Sequence, residues 1–161
     1  MTDTYLIKAA DIAAMEGVAK VHFVNPAAKR INKSLGDVTG LTGLGIHLIE
    51  VAPGDETTEY HVHHHEDEAV YILSGTGTAT IGEEDHPIAP GDFIGYRAGG
   101  LPHTILNTGT ETLRILVMGQ RLPHDVGDYP RKKQRIFRNQ GLPYDLVAHD
   151  AIENPVMGAK K

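Results

Sequence analysis

Between residues 44 and 118 the chain alternates apolar and polar positions over short runs rich in β-branched residues. A period of two is the signature of a strand with one buried face. The pattern predicts strands at Leu44–Val51, Glu59–His65, Ala69–Ser74, Gly77–Ile81, Asp92–Tyr96, His103–Asn107 and Thr112–Met118. Turn residues separate them: Pro53-Gly54-Asp55, Ser74-Gly75, Gly82-Glu83, Pro90-Gly91-Asp92, Gly99-Gly100 and Asn107-Thr108-Gly109. Many short strands at regular spacing indicate an all-β sandwich or barrel.

The two ends read differently. Asp11 is placed to cap a short helix, Ile12–Glu16, which Gly17 would stop. Val21–Val24 and Arg30–Leu35 are predicted as additional strands. Beyond the barrel, Pro123, Pro130, Pro143 and Pro155 predict an irregular tail with one strand near Arg135–Phe137. There is no internal repeat, and residues 1–161 are expected to form one domain.

Composition narrows the chemistry. The chain has ten histidines and no cysteine. That excludes disulfides, thiolate metal sites, iron–sulfur clusters and a cysteine nucleophile. Any transition-metal site must use histidine and carboxylate. No apolar run approaches the roughly 18 residues of a membrane span. The N-terminal MTDTYLIKAADIAAMEG has no basic n-region, apolar h-region or cleavage site, so a cytoplasmic protein is expected. The net charge of −6 argues against nucleic acid as the main partner. It is uneven: residues 1–120 carry 7 basic and 16 acidic side chains, whereas residues 121–161 carry 8 basic and 5 acidic ones. The basic run Arg131, Lys132, Lys133, Arg135 and Arg138 reads as a solvated face balancing the acidic body, or as a site for phosphate or an acidic partner.

The stretch Glu59-Tyr60-His61-Val62-His63-His64-His65-Glu66-Asp67-Glu68 carries the candidate chemistry. On a strand, His61 and His63 share a face, His65 could join them at the strand's end, and His64 points the other way. Two imidazoles ~7 Å apart along a strand can close on one ion. Glu68, opening the next strand, could add a carboxylate. The alternative is a solvated acidic-histidine turn. A second stretch, Gly91 to Asn107, brings His103 onto another strand.

Together the two stretches resemble the paired motifs of the cupin superfamily. In the first, Gly54 precedes His61-Val62-His63, four residues lead to Glu68, and six more lead to Gly75. In the second, Gly91 opens the motif and Gly100-Leu101-Pro102-His103-Thr104-Ile105-Leu106-Asn107 closes it. The sequence departs from the pattern in a longer Gly54–His61 gap, one extra residue in the second motif, and Ala98 where a proline is expected. The resemblance spans about residues 44–118. It implies a double-stranded β-helix (jelly-roll) barrel and one divalent metal ion, zinc, iron, manganese or nickel, held by His61, His63, Glu68 and His103. His65 and Glu66 fall beside these ligands, either supporting them or as exposed turn residues. Small cupins of this kind commonly dimerise through N-terminal strands, so a homodimer is expected.

Other residues carry two readings. Val70, Ile72, Ile105 and Ile94 are candidates to line the cavity, and His47 is in phase to reach it. Tyr60 and Tyr96 either orient a substrate or pack, with packing favoured. Arg97 could meet a carboxylate or phosphate at the barrel mouth. His22, His86, His124 and His149 read as surface residues. The resemblance implies a metal-dependent enzyme, such as an isomerase or dioxygenase, acting on a small oxygen-rich molecule such as a sugar phosphate or carboxylate. The alternative is a non-catalytic module that binds a sugar or carboxylate. The residue acting as base is left unassigned.

Overall fold

The computed structural model describes residues 4–158. Thirteen strands follow in chain order among them: β1 (Val18–His22), β2 (Asn25–Ser34), β3 (Leu44–Val51), β4 (Val62–His63), β5 (Glu68–Ser74), β6 (Gly77–Ile81), β7 (Glu84–Ile88), β8 (Phe93–Tyr96), β9 (His103–Leu106), β10 (Leu113–Gln120), β11 (His124–Tyr129), β12 (Gln134–Asn139) and β13 (Asp145–Ala148). Two short helices, Ala9–Ala14 and Leu35–Val38, lie before β3. No helix among the described residues is long and apolar enough to cross a membrane.

The strands form an all-β barrel from two walls. One is a six-stranded sheet in the order β1-β2-β3-β10-β5-β8. The facing wall combines β7-β6-β9 with β4-β11-β12-β13. These two smaller sheets meet at one antiparallel bridge, His61 to His103, in which each backbone N–H donates to the other residue's carbonyl.

Alternation decides which side chains fill the space between the walls. On β5, Val70 and Ile72 are buried while Tyr71 and Leu73 are exposed. On β10, Leu113 and Ile115 point inward, paired across the ladder with Val51 and Ile49 of β3. The register is strongly specified, because a slip by one residue would turn these apolar side chains outward. Gly75 ends β5 at φ +80°, and a Cβ there would meet the Thr112 carbonyl at 2.7 Å, so only glycine fits. Asn107 locks the turn after β9: its buried amide donates to the Val51 and Glu111 carbonyls and accepts from Gly109 N–H.

Three expectations are corrected. The N-terminal helix is Ala9–Ala14, so Asp11 lies inside its first turn and caps nothing. Residues 84–88 form β7, pairing with β6, where the sequence pattern assigned no strand. The tail is not irregular through residue 148, since β11, β12 and β13 form a continuous antiparallel meander. The prolines do not interrupt it because they stand at its corners: Pro123 precedes β11, Pro130 opens the turn to β12, and Pro143 precedes β13.

Candidate metal centre

Four candidate side chains converge inside the barrel. His61 stands at the bridge between the smaller sheets, His63 on β4, Glu68 at the start of β5 and His103 at the start of β9. His61 Nε2 and His63 Nε2 are 3.1 Å apart, and His103 Nε2 lies 3.8 Å from Glu68 Oε1. Ligating atoms of His61, His63 and Glu68 all fall within 4.8 Å of one another. The His103 ring is 4.7 Å from that of His61, centroid to centroid.

The outer nitrogens of the three rings settle their tautomers. His61 Nδ1 lies 2.8 Å from the Glu59 carbonyl, His63 Nδ1 2.6 Å from Asp125 Oδ2, and His103 Nδ1 3.2 Å from the Leu101 carbonyl. Each partner is an acceptor, so each Nδ1 carries the proton and each Nε2 turns a lone pair to the centre. Two facing lone pairs at 3.1 Å cannot hydrogen-bond to each other, and His103 Nε2 is buried with no hydrogen-bond partner. A cation between them would satisfy all three nitrogens.

Electrostatics favours the same state at His61 and Glu68, whereas His63 is drawn toward its protonated form. Burial, and then the neighbouring His63 and His103, hold the His61 pKa down to about 3, so this ring is neutral. Burial alone would raise the Glu68 pKa, but His103 and the other two imidazoles hold it at about 2, so this group is a carboxylate. For His63 the Asp125 carboxylate and the Glu68 charge outweigh burial and raise the pKa.

The groups supporting this cluster come from strands outside the motif region. Asp125, on β11, is fully buried and also accepts from His65 N–H and Arg138. Arg138, directly across the ladder on β12, also pairs with Glu66. Glu66 is buried 4.0 Å from His63 and accepts from Leu122 N–H, whereas the His65 side chain is exposed. The basic run is therefore not simply a solvated face: Arg138 is half-buried and paired with Glu66 and Asp125, Arg135 makes a bidentate pair with Asp128, and Arg131 lies over the Tyr60 ring at 4.2 Å.

A cavity of about 840 Å³ opens over the cluster. Val70 and Ile105 line it, whereas Ile72 and Ile94 pack into the core. His47 reaches it from β3, and so does His22, which the sequence placed on the surface. Tyr129 and Arg30, neither singled out from sequence, also face it. Tyr60 packs, its hydroxyl donating to the Gly82 carbonyl. Tyr96 lies flat on the His103 ring at 3.5 Å and 3°, which fixes that ring's plane. Arg97 is exposed and does not line the cavity. His86, His124 and His149 are exposed, as expected.

Over residues 47–119 the chain matches the cupin domain family. It is 38% identical over 84 residues to the L-ectoine synthase of Mycolicibacterium gilvum, a match covering 47% of this chain and 62% of that protein. The chain thus spans less than two thirds of that relative's length. A solved structure from Acidithiobacillus ferrooxidans, a proposed sugar phosphate isomerase, is 52% identical over 95% of this chain and 97% of that one, with a TM-score of 0.92. A sugar phosphate isomerase of the cupin superfamily from Silicibacter pomeroyi is 24% identical over 91% of this chain and 95% of that one, with a TM-score of 0.78, a likeness of fold.

Proposed function

Because this chain belongs to the cupin superfamily, we propose that it is a metal-dependent isomerase acting on a small sugar phosphate. The observation that carries the reading is the set of three imidazoles, His61 and His103 buried and His63 half-buried, whose Nε2 atoms meet beside the Glu68 carboxylate. His61, His63, Glu68 and His103 would hold one divalent ion. Three neutral imidazoles and one carboxylate leave such an ion a net charge of about +1, suited to polarising hydroxyl or carbonyl oxygens of a bound molecule. Tyr96 and Asp125 keep the His103 and His63 rings in place. Val70 and Ile105 give the cavity an apolar wall that limits water. The similarity to the A. ferrooxidans protein, over nearly the whole of both chains, supports isomerisation over the other reactions of the superfamily.

The protein is also read as a homodimer. β1 is the edge of the six-stranded sheet; Val18 and Val21 on it are 60% and 61% exposed, and Phe23 in the turn that follows is 63% exposed. A free apolar edge invites pairing with a second copy. Light scattering at the mass of one chain would overturn this.

Metal analysis of native protein, with His61→Ala and His103→Ala as controls, tests the site. One divalent ion per chain, lost in both variants, is expected. Aldose–ketose phosphate interconversion followed by NMR tests the reaction, and chelation should stop it. Protein that neither carries a metal nor takes one up on reconstitution overturns the proposal. A metal-loaded protein that interconverts no sugar phosphate favours a binding module.

A further inference from the structure

Charges around the cavity do not balance at one end. Lys20 and Arg30 are directly opposite each other on the β1–β2 ladder, and both line the cavity. Like charges so placed repel. Among the described residues, neither has a carboxylate within 4.0 Å. Arg30 is half-buried, its Nη1 donates to the Thr57 carbonyl, and its Nε is buried with no partner.

The other lining cations are neutralised. Arg121 pairs with Asp37 at 2.6 Å, and Arg138 pairs with Glu66 and Asp125. The two lining carboxylates are engaged as well, Asp37 by Arg121 and Glu68 by the histidine cluster. The imidazoles beside Arg30 and Arg121 are pushed toward the neutral form: burial and then Arg30 bring His22 to about 4, and burial and then Arg121 lower His47. What is left over is a guanidinium and an ammonium facing the same space as the candidate metal centre.

We propose that Arg30 and Lys20 form an oxyanion subsite that takes a carboxylate or phosphate group of the substrate while the rest of that molecule reaches the histidine–glutamate cluster. The guanidinium suits either group, because its planar fork offers paired N–H donors to two oxygens. Lys20, exposed at the cavity rim, supplies a second positive charge without fixed geometry. The subsite rests on the metal-dependent reading above only in sharing its substrate, and it makes Arg30, not Arg97, the anion anchor.

The test is titration calorimetry of the full chain with inorganic phosphate and, separately, malonate. Both series are run on metal-loaded and on metal-stripped protein. Wild type is expected to bind at least one of the two anions, phosphate alone pointing to phosphoryl substrates and malonate alone to carboxylates. Arg30→Gln should weaken that binding about tenfold or more, the scale of a lost charge-assisted contact. Arg30→Lys should fall between, Lys20→Gln should lose several-fold, and Arg97→Gln should match wild type. Lys20→Gln changes an exposed side chain and keeps the test decisive if Arg30→Gln does not fold. Wild type that binds neither anion overturns the subsite, as do Arg30→Lys and Lys20→Gln proteins that bind as wild type does. Arg30-dependent binding by stripped protein upholds the subsite even if metal analysis defeats the metal centre, so the two failures are distinguishable.

Discussion

His63 and Asp125 are 62 residues apart in the chain, yet the His63 Nδ1–H donates to Asp125 Oδ2 at 2.6 Å. One hydrogen bond thus ties the histidine-rich strand to the C-terminal meander. It fixes the ring's tautomer and aims Nε2 at the cluster. Asp125→Asn removes the charge behind that contact and allows the amide to present its NH₂ instead. Metal affinity, measured by competition with a chromophoric chelator, should fall about 10–100-fold. Affinity equal to wild type would mean that packing alone orients His63.

Tyr96 allows ring and hydroxyl to be separated. Its ring lies 3.5 Å from His103, while its hydroxyl is buried with no partner. Tyr96→Phe keeps the stack and removes an unsatisfied polar atom, so metal affinity should hold and thermal stability should not fall. Tyr96→Ala opens space beside His103 and should cost about 3–5 kcal/mol by thermal or urea unfolding. A Tyr96→Phe protein that loses metal would instead assign the hydroxyl a direct role.

Acid should destabilise the fold through two aspartates. Asp125 would be raised by burial, but His63, the His65 N–H and Arg138 hold it at about 2. Asp128 is held well below the usual carboxylate range, chiefly by Arg135, with His64 and His149 adding to it. A lowered carboxylate pKa stabilises above its unfolded value of about 3.9, and that stability is lost as pH falls through the folded value. Unfolding free energy should therefore drop between about pH 4 and pH 2, by on the order of 2 kcal/mol for Asp125. His22 acts in the same direction earlier: its folded pKa of about 4 lies below the ordinary value of 6.5, so acidifying across that range favours the unfolded chain. Urea titrations at stepped pH should show a shallower acid slope in Asp125→Asn and in His22→Gln.

Gly75 and Ile72 test the barrel itself. Gly75→Ala puts a methyl group at φ +80° against the Thr112 carbonyl, and should cost more than about 1 kcal/mol. Ile72→Ala empties a fully buried site and should cost about 2–5 kcal/mol. If both variants melt with wild type, the β5–β10 packing described above is wrong.

Much of the barrel was legible because its signals are local. Leu44–Val51 and Gly77–Ile81 are short apolar and β-branched runs bounded by turn residues, and their observed ends coincide with the predicted ones. β7 was missed because Glu84-Asp85-His86-Pro87 has no apolar alternation; β6 alone holds it in the sheet. The tail was missed because its four prolines read as breakers, while the positions of three of them at the corners of a meander depend on how that meander folds.

The sequence by itself determined the all-β alternation, the jelly-roll resemblance and the residue types able to meet a cation, since spacing along one or two strands decides which side chains share a face. Only the tertiary structure decided what stands behind and opposite them. An aspartate such as Asp125 in a proline-punctuated segment carries no local mark of its role; β11 pairing with β4 brings it to His63. Lys20 and Arg30 look like ordinary strand charges until the β1–β2 register sets them face to face at a cavity whose carboxylates are paired elsewhere. Burial and charge balance are sums over neighbours distant in sequence, and those neighbours exist only once the two walls have closed.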